Sequence, residues 1–148
     1  MCEIKELSPS GIDHLIHSEG LRLKPYLDTV GIPTIGVGNT YYPDGRRVTM
    51  KDRPLTLAEA KGMFKTIVKQ YEMAVWSLTR DDITQNQFDA LVSFSYNVGI
   101  TAFKNSTLLK RINARASAKD IESAFMMWRK PAEIIGRRKR EVALYLKP

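Results

Sequence analysis

The chain has 148 residues and a formal net charge of +7, long enough for one domain or for two small lobes sharing a core. Hydrophobic residues make up 43% and charged residues 26%, as in an ordinary globular protein, and no segment is long and apolar enough to span a bilayer. One cysteine, Cys2, excludes an internal disulfide and a cysteine metal cluster, while the positive charge points to an anionic partner: nucleic acid, a membrane surface or a bacterial wall.

In chain order, the first expected element is a helix within "SPSGIDHLIHSEG". Ser8 suits the cap, Pro9 the first turn and Gly20 the stop. Ile12, Leu15, Ile16 and Glu19 have helical spacing, which puts Glu19 at the C-terminal end, on the apolar side, facing the negative end of the helix dipole. His14 and His17 lie three apart on this helix, but no further ligand cluster accompanies them. They read as surface histidines, and no metal site is expected. Residues 24–53 change character: "DTVG" and "PDG" are turn signals, and "IPTIGVG" and "RRVTM" read as short strands of an antiparallel sheet of two or three strands.

Helical pattern then dominates. "TLAE", Thr56 to Glu59, fits a capping box that opens the longest helix, running to about Leu78. "TQNQ", Thr84 to Gln87, is a second box, with Gly99 as a fitting stop. Shorter helices are expected near 106–114 and 118–129, Pro131 breaks the pattern, and a last helix covers about 134–146. Trp76, Met126, Met127 and Trp128 read as core packing. The order predicts an α+β fold in a single domain over 1–148: an N-terminal lobe of about 8–53 carrying the sheet, a connecting helix of about 56–78, and a larger helical lobe of about 80–148. A cleft between two such lobes is the natural place for a polymer. No charged start followed by an apolar run suggests an export signal, so synthesis in the cytoplasm and later release to the site of action is the expectation.

The residues with chemistry to offer lie early. Glu19 ends a helix, Asp28 sits among turn residues, and Thr34 lies in the β-branched segment beyond. Two carboxylates on separate elements suit glycoside hydrolysis, one as proton donor to the leaving oxygen, the other handling water, attacking, or stabilising the oxocarbenium-like transition state. The donor must stay protonated near neutral pH; burial and the negative helix end at Glu19 would both favour that. Asp28, in a polar turn, would stay ionised, and Thr34, across the hairpin, could hold a water beside it.

Eight residues separate Glu19 from Asp28 and five separate Asp28 from Thr34. With "SEGLRLKPYLDTVGIPTIGVG" around them, and with "NQFDALVSFSYNVG", "FKNSTLLKRIN" and "GRRKREVALYL" following in order, the sequence resembles the phage-type lysozymes, glycoside hydrolase family 24, across nearly its whole length. The resemblance implies a lysozyme-like fold with the active site in its cleft. It also implies a muramidase that cuts the β-1,4 bond between N-acetylmuramic acid and N-acetylglucosamine with inversion and acts in phage-mediated lysis. Glu19 would be the general acid, with Asp28 and Thr34 positioning the attacking water. Arg137 falls where the family places an arginine near the catalytic glutamate. Tyr96, Asn97, Asn105, Ser106 and Thr107 align with substrate-facing positions, although Asn105 or Ser106 equally suits the cap of the next helix and Asn97 the end of its own. The implied partner is bacterial peptidoglycan, met by a monomer with no cofactor, no specific nucleic acid and no stable membrane insertion. Asn39 stands where the family commonly has a histidine, a position that reads as structural. Two rival readings remain: a lytic transglycosylase on the same substrate, against which the Asp28–Thr34 water site argues, and a non-enzymatic basic domain binding nucleic acid, which lacks a phosphate loop, zinc pattern or recognition helix.

Overall fold

The computed structural model describes residues 4–148; Cys2 lies outside the described residues. The element order is α1 (Pro9–Glu19), β1 (Arg22–Leu27), β2 (Pro33–Gly36), α2 (Leu57–Leu78), α3 (Gln85–Val98), α4 (Ile100–Lys104), α5 (Thr107–Asn113), α6 (Ala118–Phe125), a 3-10 turn (Ala132–Ile134) and α7 (Ile135–Leu146). The chain divides into two compact units. One takes the chain up to Ile12 together with Gln70–Pro148, and the other is Asp13–Lys69, so that the divisions fall inside α1 and α2.

In the Asp13–Lys69 unit, local chemistry sets the boundaries. Gly20, at φ +83°, ends α1 with its N–H on the Ile16 carbonyl at 2.7 Å, a left-handed position that costs a glycine nothing. The sheet has two antiparallel strands, pairing Tyr26 with Thr34 and Leu27 with Pro33. The register shifts between Arg22 and Tyr26, where Pro25 has no N–H to give the ladder. Beneath the hairpin Ile35, Val48, Leu55, Ala60 and Met63 form a core, with Leu21 and Tyr42 packed against it. The Thr56–Glu59 box caps α2 as expected: Thr56 N–H donates to Glu59 Oε1 at 2.9 Å and Glu59 N–H to Thr56 Oγ1 at 3.1 Å.

The expected strand over "RRVTM" does not form. Tyr41 and Arg47 make one isolated antiparallel bridge. Local polar groups compete for the backbone there: Asp44 accepts from the Arg46 N–H at 3.0 Å, and Asp52 from the Thr49 N–H at 2.9 Å. Such side-chain bonds fold the segment into turns at the expense of a ladder.

In the other unit, α3 packs most extensively against α7. Residues Phe88 through Ser95 are all buried. Phe94 meets Phe103, Phe125 and Trp128 edge-on, with ring centroids 6.2, 5.6 and 5.8 Å away, the arrangement aromatic quadrupoles favour. Because α3 is enclosed on every side, its buried polar residues need partners. Asp89 accepts from the backbone N–H of Ser8 at 3.2 Å and from Gln85 Nε2 at 2.8 Å. Glu72 accepts from the Leu7 N–H at 2.7 Å. Two buried carboxylates thus fasten the segment leading into α1, where Ser8 Oγ caps the Gly11 N–H at 3.0 Å.

Two expectations for this unit need correction, and one element was not expected. α6 stops at Phe125 and not near 129, because past Met126 the N–H groups of Met127 and Trp128 bond back to the third residue before them, Ala124 and Phe125, tightening the last turn. α4 went unforeseen; five residues after Gly99 are too few for periodicity to show. Met127 is 63% and Trp76 36% exposed, so neither is core, whereas Met126 and Trp128 are half-buried.

Candidate active site

The hairpin loop between β1 and β2 is built around Asp28. Its N–H donates to the Ile32 carbonyl at 3.0 Å, and its own carbonyl accepts from the Gly31 N–H at 3.0 Å. Its Oδ1 accepts from the N–H groups of Val30 and Ile32, at 2.9 and 2.8 Å. An aspartate that bonds the backbone two residues on is a turn former by nature. Here Oδ1 is committed to that task, and among the described residues nothing donates to Oδ2.

Thr34, 3% exposed, donates its Oγ1–H to the Ile32 carbonyl at 2.9 Å. That oxygen therefore accepts from both Asp28 and Thr34, and one carbonyl fixes the acid and the hydroxyl at the same end of the hairpin. With its proton spent on Ile32, the Thr34 hydroxyl has lone pairs left to accept another bond. Glu19 belongs to the same unit, as the last residue of α1, three residues before β1 opens. It is exposed, contrary to the expected burial; the position at the negative end of the helix is as read. Asn39 is buried beside the strand. Its Oδ1 accepts from the Val37 N–H at 3.1 Å, and its backbone pairs both ways with Ile35, so it closes the turn that ends β2.

The other candidates lie in the second unit. Tyr96 is half-buried, its ring 4.9 Å from that of Tyr71. Asn97, one residue on, is exposed, and its Oδ1 accepts from Arg138 Nη2 at 2.7 Å. Asn105 is exposed at the end of α4, and Thr107 opens α5 half-buried. Ser106 is different. It is buried, its Oγ accepts from the Leu109 N–H at 3.0 Å and donates to the Phe103 carbonyl at 2.7 Å. That is a helix cap with its proton already used on the backbone.

Arg137 is buried. Its Nε donates to Glu141 Oε2 at 3.1 Å and its Nη2 to the Ser93 carbonyl at 2.9 Å. Arg138, fully buried, places Nε 2.8 Å from Glu141 Oε1 and Nη2 3.3 Å from Oε2, with its guanidinium carbon 4.9 Å above the centre of the Phe94 ring. Ser93 Oγ also donates to Glu141. Burial pushes the Glu141 carboxyl up, against the pull of Arg138, the Ser93 hydroxyl and Arg137. Sequence reading singles out Arg137 in the "RRKR" run and passes over Arg138 and Glu141. The signal available was spacing: a glutamate three residues after one arginine and four after another shares their helix face.

Residues 16–141 match the sequence model of the phage lysozymes. The chain belongs to the phage lysozyme family. It is a lysozyme, an enzyme that cleaves peptidoglycan. It is 39% identical over 145 residues to the endolysin of Salmonella phage P22, covering 95% of this chain and 98% of that one. Among solved structures, the endolysin from Escherichia coli O157:H7 phage FAHEc1 superposes with a TM-score of 0.90 at 35% identity, over 99% of this lysozyme and 97% of that chain. The muramidase domain of SpmX from Asticaccaulis excentricus gives 0.81 at 30% identity over the whole of both chains. The lysozyme-like fold, with its small antiparallel sheet and many helices, is the one the sequence led us to expect. Among the described residues no helix is long and apolar enough to cross a membrane.

Proposed function

We propose that this lysozyme is a muramidase that hydrolyses the β-1,4 bond between N-acetylmuramic acid and N-acetylglucosamine, with inversion, during phage-mediated lysis. Glu19 is the general acid and gives its proton to the departing glycosidic oxygen. A water held between Asp28 Oδ2 and Thr34 Oγ1 attacks the anomeric carbon and passes a proton to Asp28. Attack from the face opposite the leaving group turns the β-linked sugar into the α-anomer. The observation that supports this reading best is the shared Ile32 carbonyl: it anchors Asp28 and Thr34 side by side while leaving one carboxylate oxygen and one hydroxyl lone pair unused. A bound water needs two to four such partners. Tyr96, Asn97, Asn105 and Thr107 contact the glycan, and Arg137 supports the site. In lysis the enzyme works on the wall once it has been released to it, as a monomer.

Mass spectrometry of fragments released from purified peptidoglycan tests the reading, comparing wild type with Glu19→Gln. Hydrated, reducing muramic-acid ends from the wild type alone are expected, with the α-anomer first in a proton NMR time course. Anhydro ends would replace hydrolysis by transglycosylation. Release by the folded Glu19→Gln protein would remove Glu19 from its role.

A further inference from the structure

Asn97 is the exposed end of a buried charge network. A guanidinium has five N–H donors and no acceptor, so the side-chain atom that meets Arg138 Nη2 at 2.7 Å must be the amide oxygen. Arg138 is in turn fixed. Glu141 is its ion-pair partner, with Oε1 2.8 Å from Nε and Oε2 accepting from Nη2 at 3.3 Å, and Phe94 lies beneath it. Glu141 is itself held by Ser93 and Arg137. Arg138 and Glu141 are fully buried, so neither has room to turn and release the amide. Asn97 Oδ1 is thereby engaged from inside, and among the described residues its Nδ2 protons meet no acceptor.

We infer that Arg138 and Glu141 are positioning residues that lock Asn97 with its amide nitrogen outward, so that it takes an acceptor-only oxygen of the glycan and rejects a donor. The inference rests on the reading of Asn97 as a glycan contact. A free asparagine can turn over and present either its oxygen or its nitrogen, whereas this one presents only donors. Sugar hydroxyls both donate and accept and would not register the difference. Peptidoglycan offers strong acceptor-only oxygens of two kinds: amide carbonyls, of which the N-acetyl group is the one borne on each sugar, and the carboxylates of the lactyl and stem-peptide side.

The test is Asn97→Asp, which keeps shape and the bond to Arg138 but replaces the outward N–H pair by an oxygen. Because a carboxylate beside Arg138 makes a charge-assisted bond, the melting temperature should hold or rise, which separates recognition from folding. On native walls KM should rise about tenfold, the scale of one lost hydrogen bond with an acceptor now facing an acceptor, and the loss should fall on KM rather than kcat. On de-N-acetylated walls, where an ammonium replaces the acetamide, the penalty should shrink or reverse if the carbonyl is the partner and persist if it is the carboxylate. Chitin oligosaccharides, which carry acetamides without lactyl groups, settle the source: weaker binding to Asn97→Asp assigns the carbonyl, and unchanged binding with the wall defect intact assigns the carboxylate. Arg138→Lys, whose single ammonium has no fork with which to hold both Glu141 and Asn97, should raise KM in the same direction. An unchanged KM for Asn97→Asp on both walls would overturn the inference. That outcome leaves the muramidase reading standing if Glu19→Gln is inactive, whereas loss of hydrated ends from the wild type would end that reading first.

Discussion

Gly11 is a residue whose side chain has nowhere to go. A Cβ there would lie 2.5 Å from Asp89 Cγ and 2.6 Å from Oδ2, well inside van der Waals contact, and Asp89 is anchored by Ser8 and Gln85. Gly11→Ala should therefore lower stability by about 1–3 kcal/mol, the usual cost of overpacking, even though alanine is the better helix former; urea denaturation measures it. Ser106 makes a second prediction at this scale. Ser106→Ala removes the cap on Leu109 and one of the donors to the Phe103 carbonyl, which keeps the Ser106 N–H at 3.1 Å, at a cost of about 1–2 kcal/mol. The Ser106 hydroxyl has its proton on Phe103 and is buried in the cap, so it has no proton to give a sugar, and KM on peptidoglycan should be the same for the variant as for the wild type below its melting point. A raised KM would return Ser106 to the substrate contacts.

At the scale of elements, the turns after the hairpin owe their shape to ionised carboxylates. Asp52 is lowered to about 2, first by the Thr49 N–H and then by the Tyr42 hydroxyl. Glu59 is lowered to about 2, first by Arg53 and then by the Thr56 N–H of the capping box. A carboxyl whose folded-state pKa is depressed contributes stability at pH values above its unfolded pKa, about 4. That contribution is lost as pH falls through the folded value. The Asp13–Lys69 unit should thus lose stability between about pH 4 and pH 2. Thermal melts of wild type and Asp52→Asn check this: the wild type should lose more between about pH 5 and pH 2.5 than the variant, which has less to lose. Tyr42 mirrors the effect, since burial and then the Asp52 bond raise its phenol to about 12, so it remains a donor through the neutral range.

Across the whole molecule, the net charge of +7 should aid approach to an anionic wall. The buried network takes up little of that charge, since Glu141 offsets one of the two arginines it holds. Attraction between exposed charges is screened over about 10 Å at 0.1 M salt and about 3 Å at 1 M. Lysis of isolated walls should accordingly slow several-fold as salt rises over that range, which turbidity clearing at fixed pH would record. A flat response would mean that the basic surface plays no part in finding substrate.

The sequence by itself determined the features that neighbours in the chain create. Both capping boxes, the Ser8 cap and the stops at Gly20 and Gly99 join residues within about four positions, so a local reading had every participant in view. The spacing from Glu19 to Asp28 to Thr34 was legible through its resemblance to the phage-type lysozymes, although the Ile32 carbonyl that binds the last two was not. Where local bonds compete, as between Asp44, Asp52 and a third strand at "RRVTM", residue preference for β structure was outvoted by polar side chains. Only the tertiary structure decided which charges of "GRRKRE" are buried. Periodicity places Arg137, Arg138 and Glu141 on one side of a helix, but the side that faces inward depends on α3, some forty residues earlier, whose Ser93, Phe94 and Asn97 receive them. A buried ion pair persists only where packing supplies a partner for every charge, and that packing exists only once the chain has folded.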